Sequence, residues 1–200
     1  MGNGPVVPEF HNLAEGTSSK AKNLLLTGRS GSGKSTVIRE VVNELSSQGV
    51  KVGGLHCPEI RGPLGRLGFK IVELATGEEK ILAHVGHAGP RVSKYGVDLT
   101  NLGEMSRKAL EVLPSVDAVV IDEIGPMEVM SPVFREFVLR ALESPKPVLA
   151  AVHKKTEGGF IGGIKKRPDV AIFEVGPENR ERLLVEVKER MKALLGMGGR

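Results

Sequence analysis

The chain has 200 residues, 40% apolar and 26% charged, enough for one domain with a sizeable core, and no apolar run nears the ~20 residues of a membrane helix. A net charge of +4 suits a protein that handles polyanions, but 4% aromatics, no tryptophan and scattered basic residues argue against a nucleic-acid module. One cysteine, Cys57, excludes a disulfide framework, and Pro5, Pro8, Glu9 and His11 interrupt any leader pattern, so the cytoplasm is the expected compartment.

Residues 1–22 are rich in Gly, Pro, Ser and Asn and lack periodicity, so they read as a loose extension. A single domain is expected over 23–195, with 196–200 as a frayed tail. Residues 23–27 form a short apolar run and predict a buried strand. Behind it, Gly28, Arg29, Ser30, Gly31, Ser32, Gly33, Lys34 and Ser35 fit GxxxxGK[ST] without mismatch, and Thr36 follows. A helix over 36–45 places Val37, Val41 or Val42, and Leu45 on one face.

The chemistry needs these residue types. Glycines let consecutive backbone N–H groups turn inward toward phosphate oxygens, and the following helix adds partial positive charge at its first turn. Lys34 would reach the outer phosphates, and Ser35 would offer a hydroxyl to Mg²⁺.

Further along, 50–55 predicts a strand, with Gly49 ending the helix before it. Alternation over 65–85, with Thr76-Gly77 at its centre, predicts a hairpin beside the main sheet. Thr100 is the expected cap of a helix reaching Leu113, with Glu104 in its first turn. The unbroken run 118–121 predicts a central parallel strand. Ser131 then caps a helix that begins at Pro132 and ends near Glu143. Strands are expected over 148–152 and 170–175, and an amphipathic helix over 178–195 with Leu183, Leu184, Val187, Met191, Leu194 and Leu195 on one side. Such alternation gives an α/β fold, a three-layer sandwich with a mostly parallel sheet and helices on both faces.

Asp122 and Glu123 follow the 118–121 run, at the carboxyl end of a strand, where open parallel sheets bind ligands. Two carboxylates there call for a cation; Mg²⁺ on a triphosphate, held by Asp122, satisfies them. Strand alternation aims Glu123 elsewhere, toward an attacking water. The alternative account is two solvated acids opening a loop.

From 23 to about 195 the chain resembles the small nucleoside-triphosphatases of the cancer-related and thermophile, or THEP-type, family. The resemblance rests on residues 28–36, Gly54 with Glu59-Ile60-Arg61, Arg66-Leu67-Gly68-Phe69, Tyr95-Gly96-Val97-Asp98, Asp122-Glu123-Ile124-Gly125-Pro126-Met127-Glu128, and Glu178-Asn179-Arg180. It implies a P-loop NTPase fold and Mg²⁺-dependent hydrolysis of nucleoside triphosphates with broad base tolerance. It also implies nucleotide contact along the loop and at Val120, Ile121, Asp122, Glu123, Ile124 and Gly125. A helix is implied near Gly158–Gly163, where four glycines favour a mobile cover instead.

Other residues carry open readings. His153 ends a strand and is either a γ-phosphate sensor or a surface histidine. Arg91, Lys94, Lys165, Lys166, Arg167 and Arg180 are six candidates for stabilising transition-state charge. Glu59 and Arg61 sit near the ligand edge, and Tyr95 either stacks on a base or packs. His56, His84, His87 and Cys57 have no zinc-site spacing. The rival functions are a nucleotide or small-molecule kinase, with 86–95 or 157–167 as a lid, and a nucleotide-operated switch. Protein partners and base preference have no readable determinant.

Overall fold

The computed structural model describes residues 21–197. The extension expected over 1–20 and the tail residues 198–200 lie outside the described residues. Five parallel strands form the centre of one sheet, in the order β10 (Val170–Glu174), β1 (Asn23–Thr27), β9 (Val148–Val152), β8 (Ala118–Ile124) and β2 (Val52–His56). Each is apolar on both sides because each is covered on both sides. In β1, Leu25 joins one core cluster while Leu24 and Leu26 join the other; in β8, Val119 and Ile121 part from Ala118 and Val120 in the same way.

One face is covered by α1 (Lys34–Ser47) and α5 (Arg180–Leu194), through Val37, Ile38, Val41 and Leu45 and through Leu183, Val187 and Met191. Val41 takes the buried position and Val42 only borders it. Leu194, expected on the same apolar side, is 38% exposed, whereas its neighbour Leu195 packs against the core beside Met191. The opposite face is covered by α2 (Leu99–Val112), α3 (Pro132–Glu143) and α4 (Gly159–Lys165). Helix α3 begins as expected, with Ser131 Oγ accepting from the Phe134 N–H and Pro132 at the first position.

Helix α2 is capped by Asp98, not Thr100: the Asp98 carboxylate accepts from the Asn101 N–H. Glu104 is spent on Lys80 rather than on the helix start. The glycine-rich 158–163 segment is helical after all. Ile161 and Ile164 are 3% and 2% exposed in the core, so burial outweighs poor propensity and the segment is a packed element rather than a cover.

The hairpin expected over 65–85 is present as β4 (Gly65–Glu73) and β5 (Glu79–His84), but it belongs to a larger antiparallel wing. β4 pairs with β2, and β5 leads to β7 (Tyr95–Val97) and β6 (Arg91–Val92), while β3 (Glu59–Gly62) pairs with β4. Three of these strands have two to four residues, too short for periodicity to show. The wing extends the sheet on the side of β2, so the sheet edge runs from the β1 loop past the β8 acids to the wing.

Candidate active site

A cleft of about 830 Å³ opens over the carboxyl ends of the parallel strands. One wall is the loop between β1 and α1. Gly28, Gly31 and Gly33 all have positive φ, 150°, 77° and 101°, which is the backbone curl that turns amides inward. Lys34 is 9% exposed, and its Nζ donates to the Gly28 carbonyl at 3.2 Å and the Arg29 carbonyl at 3.4 Å. The ammonium is thus folded back over the loop it must serve. Ser32 Oγ is buried and without a partner among the described residues, so the loop holds an unused donor.

Facing the loop are the two acids. Asp122 is 5% exposed, and its Oδ2 lies 3.0 Å from His56 Nδ1, a contact set by the His56–Asp122 register of β2 on β8. Glu123 Oε2 lies 3.9 Å from Lys34 Nζ. Burial raises the Glu123 pKa above its usual value, with Lys34 pulling it back down. Simple alternation would have sent the two carboxylates to opposite faces. The pairing of β8 with β9 instead shifts register between Ile121 and Ile124, and both acids line the cleft.

Within the phosphate loop, Gly28, Arg29, Ser30, Gly31, Lys34 and Ser35 line the cleft, whereas Ser32, Gly33 and Thr36 stand behind that surface. The expected contacts at Val120, Ile121 and Ile124 are not in the cleft wall. These side chains are at most 1% exposed and pack into the two cores, so they support the acids from behind, and Gly125 is likewise buried.

Of the six cations proposed for charge stabilisation, none lines the cleft. Arg91 donates to the Lys94 carbonyl, Lys94 sits over the Tyr95 ring, Lys165 holds the Lys154 carbonyl and Glu157, and Arg167 grips Asp169 with two bonds. Arg180 packs against Gly33 at the back of the loop, and Lys166 is exposed. The cations in the wall are Arg29, Lys34, Arg66, Lys154 and Lys155. His153 also lines it, with Nδ1 2.7 Å from Thr156 Oγ1.

Glu128, for which sequence gave no role, is 6% exposed and lines the cleft. Burial, reinforced by the neighbouring Glu123 charge, pushes its pKa up to about 8. Burial likewise pushes the Cys57 thiol well up, which makes it an inert wall residue. In the wing, Glu59 faces the cleft while Arg61 is 73% exposed and outside it, although the two are paired. Tyr95 is packing: it is 4% exposed and meets Phe69 edge-on at 5.4 Å, so no base can stack on it.

The family described as NTPase matches residues 23–188. Nucleoside-triphosphatase THEP1 of Thermofilum pendens is 45% identical over 178 residues, which cover 88% of this chain and 98% of that protein. Nucleoside-triphosphatase THEP1 of Methanopyrus kandleri is 39% identical over 170 residues, covering 84% and 94%. The crystal structure of THEP1 from Aquifex aeolicus matches with a TM-score of 0.70 at 26% identity, over 82% of this chain and 96% of that one. A match of this length, on a sheet that brings the phosphate loop and the acids into one cleft, shows that the chain belongs to the NTPase family.

Proposed function

We propose that this chain hydrolyses nucleoside 5′-triphosphates to diphosphate and phosphate, with Mg²⁺ as its metal and the cytoplasm as its site of action. The observation that carries the reading is the 3.9 Å approach of Glu123 to Lys34, which joins the anion-binding loop to a carboxylate across one cleft. The names of the relatives point the same way, and they lend no support to the kinase alternative.

A divalent cation fits the residues present. Ser35 and Asp122 offer hard oxygen donors in the same cleft, and Asp122 Oδ1 has no hydrogen bond among the described residues. No group of three or more His, Cys, Asp or Glu could hold a metal among the described residues, so phosphate oxygens and water must complete the shell, as Mg²⁺ prefers. Held by Ser35 and Asp122, such an ion would offset the charge that builds on the phosphates in the transition state.

The chain's own groups do the rest. The loop amides and Lys34 hold the phosphates in line and spread their charge. His56 fixes the Asp122 carboxylate from behind. Glu123, its proton affinity raised by burial, orients the attacking water and accepts its proton. The test is Glu123→Gln with ATP as substrate. Nucleotide affinity should stay within about threefold while phosphate release falls by ~10²-fold or more, the size of a lost general base. Turnover near the parent rate would refute the assignment.

A further inference from the structure

The wing adds an arginine to the cleft wall that has no part in the phosphate loop or the acid pair. Arg66 stands on β4 and lines the cleft. Its Nε donates to the Tyr95 hydroxyl at 3.0 Å and its Nη1 to Glu59 Oε1 at 2.5 Å. The guanidinium lies over the Phe69 ring, 4.9 Å from its centroid, and 5.7 Å from the Tyr95 centroid. The plane is therefore fixed on two edges and one face. Its Nη2 has no hydrogen-bond partner among the described residues.

Strand order places this group relative to the phosphate loop and the acids. The loop follows β1, the acids end β8, and the wing begins beyond β2, so the wing lies past the acids as seen from the loop. Lys34 and Glu123, 3.9 Å apart, mark the phosphoryl end of the cleft, and Arg66 lines that same cleft. The competing cations suit the task less well. Arg29 is exposed and has no partner fixing it among the described residues, and Lys154 is bound to Glu174. Lys155 is exposed and is a point charge, whereas an arginine fork matches phosphate oxygens.

We propose that Arg66 is a catalytic residue supplied by the wing, its guanidinium stabilising charge on the transferring phosphoryl group, with Glu59, Tyr95 and Phe69 as the positioning residues that hold it. The proposal rests on the hydrolase reading above. Pre-ordering is what gives it force: two hydrogen bonds and an aromatic platform spare the arginine the ordering that a free surface side chain would undergo. Glu59 also keeps the charge anchored between turnovers. Burial works against the Glu59 carboxylate, but Arg66 and Arg61 outweigh it and hold its pKa below the usual range, so it stays an anion.

The experiment uses the full chain with ATP and Mg²⁺. In Arg66→Ala, kcat should fall by 10³-fold or more, as for other arginines that complete a phosphoryl-transfer site, with KM changed by less than about threefold. Binding of ADP with Mg²⁺ and aluminium fluoride, a mimic of the transferring group, should weaken in parallel while ADP alone binds as in the parent. A merely structural arginine would not separate those two affinities. Arg66→Lys keeps one charge but not the fork, and a folded Arg66→Lys protein serves if Arg66→Ala does not fold; it too should lose at least tenfold in kcat. A loss of less than tenfold in a folded variant, or equal weakening of ADP with and without fluoride, overturns the proposal. Parent phosphate release is measured alongside: its absence defeats the hydrolase reading, whereas an active Arg66→Ala protein defeats only the arginine.

Discussion

Glu128 shows how burial decides the behaviour of a side chain that its sequence position leaves open. It sits against Gly125, its Oε2 2.9 Å from where a Cβ on that glycine would lie, with Glu123 Oε1 2.8 Å from the same point. Glycine at 125 is what lets both carboxyls approach the backbone, and burial, reinforced by the Glu123 charge, raises the Glu128 pKa to about 8. Because the folded state raises this pKa above its ordinary 4.5, it binds the proton more tightly than the unfolded chain does. Stability from this group is therefore full at low pH, falls as pH rises from about 4.5 to about 8, and is level above that. Glu128→Gln should remove this slope. Urea midpoints of the nucleotide-free protein at pH 6 and pH 8.5 will show it, the parent losing more than the variant; parallel losses would mean that Glu128 does not titrate in this window.

At the scale of elements, the acids are placed by how closely β2 lies on β8. Gly54 has φ +112°, and a Cβ there would sit 2.1 Å from the Val120 carbonyl oxygen. Neither the backbone angle nor the space admits a side chain. Gly54→Ala should destabilise the protein by roughly 3 kcal/mol or more, adding left-handed strain to overpacking. It should also slow phosphate release beyond what unfolding explains, since His56 and Asp122 are held by that same pairing. Urea denaturation together with turnover of the folded fraction measures both. The signal was legible only as a Gly-Gly pair inside an apolar run, which marks a close approach without saying to what. The α2 start was missed for a related reason: Asp98 and Thr100 are both good caps, and only Asp98 lies where its carboxylate reaches the Asn101 N–H.

For the whole molecule, one sheet runs from β10 to β6, so the parallel core and the wing share strands and hydrogen bonds rather than a linker. We propose that 23–195 is one cooperative domain. A ligand of the phosphate loop then stabilises all of it. ADP with Mg²⁺ at about 100 times its Kd should raise the unfolding free energy by about 2.7 kcal/mol in a single shifted transition, and Lys34→Ala should abolish the shift. A second transition left in place by ADP would show instead that the wing unfolds on its own. No helix of the described residues is long and apolar enough to cross a membrane, and the apolar surface goes into the two layers around the sheet.

By itself the sequence determined the phosphate loop, the strand before it, the apolar runs and the acids after 118–121, because each is local: a turn needing glycines, or a period of one or two residues over a long enough run. Only the tertiary structure decided which cations line the cleft, that both acids share it, that Glu128 is buried, and that Arg66 has its partners. These depend on strand order, a register shift in β8 and pairing between residues such as Arg66 and Tyr95, far apart along the chain. Periodicity carries no information about such distant neighbours; charge and burial at a site are properties of what folding brings next to it.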